Sequence, residues 1–307
     1  MLVMSETKLT KTKIKSSAML LVAAFFWGTT FVAQDVAAGS IGPFSYNALR
    51  SLVAVIFLSA VIPIFDKTGH YTKKPLTYAD KTLLLKGGIL VGLIFTFSSY
   101  MQQRGLIYTT AGKAAFVTAF YLILVPVVGI FMGRKSPITV WIAIFVSLAG
   151  LYFLCIDESL NIGSGELLVF ICSIGYTGHI IAVGYYSRMC DGFRLSRIQF
   201  AAAFIANGIL ALLFEDTTYE VILINLIPIL FAGIFSSGIA FTLQILAQAN
   251  LNAAVASILM SCESLFGVLS GAIILKETMN QREILGCVLM FAAILLSQLP
   301  DSSKKTG

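Results

Sequence analysis

TAGKAAFVTAFYLILVPVVGIFMGRK, residues Thr110–Lys135, decides the reading of this chain. It is a near-unbroken apolar run with one lysine, Lys113, near its start and an Arg134-Lys135 pair at its end. A second stretch, AAVASILMSCESLFGVLSGAIILKET (Ala253–Thr278), has the same outline. At a constant offset of 143 residues, with no gap, Ala111 meets Ala254, Leu122 meets Leu265, Val125 meets Val268 and Ile130 meets Ile273. The break at Arg134-Lys135 falls on the break at Glu277-Thr278, and another apolar run follows each. Apolar helices share identities by chance, so the matching punctuation is the stronger sign. It points to two halves of one design.

The rest of the chain has the same character. Of its 307 residues 58% are hydrophobic and only 12% are charged, against about 25% charged in soluble domains. A membrane-spanning helix needs roughly 20 mostly apolar residues to cross a hydrocarbon core of about 30 Å. Ten such runs occur, near 17–37, 43–65, 83–103, 110–132, 137–156, 165–186, 195–214, 221–246, 251–275 and 282–299. Alternation with period two is absent, which argues against a membrane β-barrel. The expected fold is therefore an all-α polytopic membrane protein with ten transmembrane helices. Each half holds five spans, an odd number, so the second half enters the membrane in the opposite sense. The domain reading is two inverted five-helix repeats, 17–156 and 163–299, with cytoplasmic tails at 1–16 and 300–307. A softer alignment at an offset of 149 sets Trp27 on Tyr176 and Arg50 on Gln199. Inverted repeats with a substrate site near the bilayer midplane characterise secondary transporters.

Charge placement gives the orientation. The first run follows Lys8, Lys11, Lys13 and Lys15, as a signal peptide would, but it is long, keeps Trp27 and Gln34, and precedes nine more runs. With the N-terminus in the cytoplasm, sixteen of the 21 basic residues fall on the cytoplasmic side and only Arg104, Lys276 and Arg282 on the other. The external loops carry Asp35, Asp157, Glu158, Glu215, Asp216 and Glu220. By the positive-inside rule both termini are cytoplasmic and the location is the plasma or inner membrane. The basic balance is thus topological, and no nucleic-acid partner is expected. Five cysteines without a CxxC pair suggest neither a disulfide framework nor a metal site. No P-loop occurs, which argues against ATP hydrolysis, and no cofactor is expected.

The functional candidates are the polar groups inside the runs, because an ionisable group near the bilayer centre costs at least about 2.5–3.5 kcal/mol. Glu263 lies about twelve residues into its helix, roughly 18 Å at 1.5 Å per residue. It could carry a proton or meet an amino group, or it could only pair with a neighbouring helix. Ala256, Gly267 and Ser270 share its face. Arg50 and Lys113 each could bind a substrate carboxylate or snorkel to the interface, and Arg50 could instead pair with Asp35. His179 could join a proton relay or simply pack. Trp27, Thr30 and Gln34 share one helix face and could line a cavity or serve helix contacts. Tyr121, Gln102, Asn207 and Gln244 are further cavity candidates. Gly88/Gly92, Gly129/Gly133 and Gly267/Gly271 read as close-packing pairs, and Pro126 as a helix bend.

Several stretches together resemble a known family. WGTTFVAQ (Trp27–Gln34), ALR (Ala48–Arg50), TTAGKAAFVTAFYLILVP (Thr109–Pro126) and SILMSCESLFGVLSGAIILKE (Ser257–Glu277) look like the EamA-type branch of the drug/metabolite transporter superfamily, over nearly the whole chain. Gly133-Arg134 stands where the family often has Gly-Glu, and Glu263-Ser264 where it often has Glu-Pro. The resemblance implies secondary transport by alternating access, commonly export, of a small polar metabolite such as an amino acid. A facilitator without ion coupling is the nearest alternative. An integral-membrane enzyme acting on lipid would need a clustered acid/base or metal constellation, and two histidines with scattered carboxylates argue against one. The partners implied are a small-molecule substrate and the lipid bilayer, with a homo-oligomer left open.

Overall fold

The computed structural model describes residues 2–67, 77–109, 111–134, 136–155, 163–274 and 281–297, and every regular element among them is helical. In chain order these are α1 (Leu2–Ala37), α2 (Pro43–Lys67), α3 (Tyr78–Leu106), α4 (Ala111–Thr118), α5 (Tyr121–Phe131), α6 (Ile138–Cys155) and α7 (Ser164–Tyr186). They continue with α8 (Gly192–Phe214), α9 (Tyr219–Ile224), α10 (Leu226–Phe231), a π-helix (Ala232–Ala240), α11 (Phe241–Gln248), α12 (Ala253–Met260), α13 (Cys262–Ile274) and α14 (Gln281–Ser297). Seven helices among the described residues are long and apolar enough to cross a membrane, while Ile138–Phe153 and Ala253–Gly267 are apolar but shorter. Residues 2–16, read as part of a tail, continue α1 without a break. Lys73, Lys74, Lys135, Asp157, Glu158, Lys276, the Glu277-Thr278 break and the tail at 300–307 lie outside the described residues, as do the side chains of Ser270 and Gly271.

The distribution of side chains is inverted relative to a water-soluble protein. Leu212 is 89% exposed, Phe131 86% and Ile227 80%, whereas Asn47, Gln199 and Asn207 are fully buried. An outer face of large apolar groups around an interior holding polar ones is what hydrocarbon surroundings demand.

Helix ends and breaks follow local chemistry. Thr77 and Asp80 cap α3 reciprocally, each side chain accepting the other's backbone N–H. Gly133 is not a packing glycine. It takes φ 74° after α5, with Arg134 N–H donating to Gly129 O at 2.8 Å and Gly133 N–H to Ile130 O at 2.9 Å. That is the left-handed helix stop that glycine alone adopts cheaply. Gly88 and Gly92 do mediate close approach, since a Cβ on Gly92 would lie 2.4 Å from Gln199 O of α8. The run 110–132 is two helices, and its discontinuity sits at Ala119-Phe120, upstream of Pro126, which lies inside α5. The run 251–275 is likewise two helices that meet at Ser261.

The antiparallel pair α2–α8 is fastened at both ends. Beyond α8, the Glu215 carboxylate accepts the Phe44 and Ser45 N–H groups of α2's first turn, both at 2.8 Å. At the other end Arg194 donates to Asp66 at 2.9 Å and to Asp191 at 2.7 Å. The offset of 149 that sets Trp27 on Tyr176 also separates Asp66 from Glu215 and Ser45 from Arg194. A carboxylate leaving each helix therefore grips the start of the other, on the free amides of a helix N-terminus in one case and on a guanidinium in the other. Replacing Glu215 by Ala should lower the thermal midpoint in detergent by the equivalent of about 0.5–2 kcal/mol, as for other lost helix caps. The neighbouring exposed Asp216→Ala should leave it unchanged.

Candidate functional site

Many of the polar groups buried between the helices converge on one cavity of about 50 Å³. That is far below the roughly 300–1,000 Å³ of sites that enclose a drug-sized ligand, so the helices stand closed down around a small polar-and-aromatic pocket. Of the eight candidates read from the sequence, Trp27, Gln34, Arg50, Tyr121, His179 and Glu263 line it, and so do Gln102 and Gln244. Its wall draws on α1, α2, α3, α4, α5, α7, the π-helix, α11, α12 and α13.

The close contact of α1 with α13 sets its geometry. A Cβ added to Gly28 would stand 2.4 Å from Glu263 O, 2.7 Å from Gly267 N and 2.9 Å from the Phe266 Cβ. Only a glycine lets the two backbones meet there. One residue before it, Trp27 turns into the cavity and meets Phe241 edge-on at 4.9 Å. Glu263 stands in the first turn of α13, just after the break at Ser261, and is 8% exposed. Its carboxyl is a hydrogen-bonding partner of Tyr121, which begins α5 just after the break at Ala119-Phe120. The two helix breaks thus deliver an acid and a phenol to the same spot. Broken helices bordering a cavity are how membrane proteins place polar groups at depth.

The remaining candidates divide. Gln34 is buried rather than interfacial, donating to the Gln103 side chain at 3.1 Å while Gln103 donates to Gln34 O at 3.1 Å. His179 is packed among Phe95, Tyr176 and Phe241, with ring centroids at 6.2, 6.3 and 5.6 Å, and its polar neighbour is Gln199. Arg50 is 2% exposed and Asp35 is exposed, so the two form no pair. Rings of Tyr46 and Phe95 face the guanidinium at 5.8 and 5.2 Å instead. Two candidates lie elsewhere. The Thr30 hydroxyl bonds back to Phe26 O at 2.6 Å, and Lys113 sits within electrostatic reach of Glu166, away from the cavity. Asn207 bonds Thr96 at 3.3 Å and Ala203 O at 2.9 Å and does not line the wall.

Sequence reasoning did not single out Phe31, Thr118, Ile180, Ser236, Phe241 or Met260, which also line the wall. Apolar residues inside apolar runs carry no signal of facing a cavity. Tyr176 was legible only as the counterpart of Trp27, and both line the same space, with Tyr176 donating to Gln102 Oε1 at 3.3 Å.

A helical shell that is apolar outside and has polar and aromatic side chains around an interior cavity is that of a membrane-embedded protein. The EamA-like transporter family model matches residues 14–156 and again 163–299, and the chain belongs to that family, within the drug/metabolite transporter superfamily. An uncharacterized transporter of Archaeoglobus fulgidus is 25% identical over 284 residues, covering 91% of this chain and 84% of its own length. The uncharacterized transporter YwfM of Bacillus subtilis is 24% identical over 305 residues, covering 95% and 96%. A solved crystal structure shares the fold with a TM-score of 0.75 at 16% identity, covering 95% of this chain and 99% of the other.

The seam at Gly28 yields a direct check. Gly28→Ala should destabilise the protein by about 1–3 kcal/mol, the range for overpacking a tight interface, read as a lower thermal midpoint in detergent. Gly208→Ala, where no atom lies within 4 Å of the added Cβ, is the control and should be tolerated.

Proposed function

We propose that this membrane transporter is a ten-span secondary carrier of the plasma or inner membrane, built as two inverted five-helix repeats with both termini cytoplasmic. It exports a small polar metabolite by alternating access through the cavity described above, and proton movement through Glu263 drives the cycle. The observation that carries the reading is the position of Glu263. Among the described residues it is the one carboxyl in the cavity wall, it follows a helix break, and residues from both family-matched stretches line the same space. A carboxyl there can hold a proton while the cavity faces one side and release it when the cavity faces the other. The titratable groups around it are Tyr121 of α5, Tyr176 and Cys172 of α7 and its neighbour Cys262. Its hydrogen-bonding partner Tyr121 steadies the carboxyl without supplying a fixed positive charge.

The uncoupled facilitator shares every structural feature except a use for that proton. Flux from proteoliposomes loaded with a labelled metabolite panel, at clamped membrane potential with and without a pH gradient, separates the two. The coupled carrier predicts saturable flux that the gradient accelerates. Glu263→Gln should then lose the gradient response, keeping exchange within about tenfold of the native rate. Gradient-indifferent flux in the native protein would select the facilitator and return Glu263 to a structural role. Absence of saturable flux for every compound would contradict transport of this class.

A further inference from the structure

We infer that Arg50 is an anion anchor and that the solute taken into this cavity carries a single carboxylate. The biological meaning rests on the carrier reading above; the physical argument does not. Arg50 heads the fully buried side chains by size and is 2% exposed. No ion pair includes it among the described residues, in contrast to Arg194, which pairs with Asp66 and Asp191. Its Nε has no hydrogen-bond partner. What faces it is neutral: the Tyr46 hydroxyl from its own helix, the Tyr176 hydroxyl from α7, and the rings of Tyr46 and Phe95.

A buried charge without a counter-charge is strongly unfavourable, and an arginine remains charged in any protein environment. Snorkelling is closed to it, because the side chain is enclosed rather than directed along a lipid-facing surface. Aromatic faces recover part of the cost, yet they leave the planar donor edge without the acceptor it is shaped for. The cavity is where that acceptor can enter, since Arg50 lines it. The anchor is also held in place. Gly233 of the π-helix packs against Arg50 O, at 3.0 Å from an added Cβ, and α2 is fastened at both ends.

The charge count narrows the anion. Arg50 is the one permanent cation in the wall among the described residues, and Glu263 shares the space. A phosphate or dicarboxylate would bring a second negative charge with nothing to meet it. A single carboxylate matches the single guanidinium in bidentate geometry. The cavity of about 50 Å³ has room for the carboxylate itself, and the organic body of the solute would meet Trp27, Tyr176 and Phe241 as the helices part around it.

The test uses the full-length protein with two matched series: phenylalanine, phenylalaninamide and phenethylamine; and serine, serinamide and ethanolamine. Aliphatic and hydroxy monocarboxylates widen the panel. Binding is read as Trp27 emission in a Trp141→Phe background, and flux is read from proteoliposomes. The anchor predicts that at least one carboxylate binds about tenfold or more tightly than its amide and amine partners, the scale of one charged hydrogen bond. Arg50→Gln should erase that preference, and Arg50→Lys should retain part of it. Equal or tighter binding of the amides or amines, no binding of any carboxylate, or a preference that survives Arg50→Gln would each overturn the anchor. Should Arg50→Gln fail to fold, discrimination within the matched series by the native protein decides the question alone. Saturable flux of the amines would overturn the anchor and leave the carrier standing. Carboxylate-selective binding without flux would do the reverse.

Discussion

The cavity depends on α1 lying directly against the backbone of α13. That approach is possible because position 28 has no side chain, and the space it saves is occupied by Glu263 O and Gly267 N. Two polar side chains of the wall belong to the segments that meet there. Trp27 turns inward one residue before it, and Glu263 belongs to the segment that it touches. Without a hydrophobic driving force between helices in lipid, contact of this kind relies on close packing rather than on water exclusion. The seam is therefore one of the close backbone approaches of the interior, as is that of Gly92 to Gln199 O.

Some polar groups of the interior are settled by local bonds, while others, Asn47 and Ser237 among them, have no side-chain hydrogen-bond partner. Thr30, Thr96, Thr177 and Ser51 return their hydroxyls to the carbonyls of their own helices, and Gln34 and Gln103 satisfy one another. Arg50 is the buried group with a fixed charge in the cavity wall as described, met by aromatic faces and hydroxyls rather than by a paired carboxylate. Its helix and α8 clamp one another at both ends, which holds that charge in place.

Much of this was legible in the sequence, for a physical reason. Hydrocarbon tolerates few charges, so each ionisable residue inside an apolar run is conspicuous, and Arg50, His179 and Glu263 reached one cavity on that signal alone. Lys113 gave the same signal but lies away from the cavity, near Glu166, because position along a run says nothing about which way a residue faces. The breaks at Ala119-Phe120 and Ser261 were not legible. No proline or glycine marks either one, while Pro126, the visible candidate, sits inside a continuing helix. The π-helix Ala232–Ala240 was equally hidden. Its sequence, AGIFSSGIA, reads as ordinary span, and the wider turn comes from packing Gly233 and Gly238 onto Val53 and Phe57 of α2. Gly129 and Gly133 matched a packing spacing by coincidence, since Gly133 serves the helix end.

In the transport cycle proposed above, one cavity holds the solute and opens to the two sides in turn. Ser236 of the π-helix lines that cavity and is 2% exposed, which makes it the position to probe. The measurement is the labelling rate of Ser236→Cys, in a background with the five native cysteines replaced, by a membrane-impermeant maleimide added from each side in turn. The account predicts labelling from both sides, slowed from both by a transported solute. Labelling that the solute leaves unchanged, or that proceeds from one side only under every condition, would contradict it.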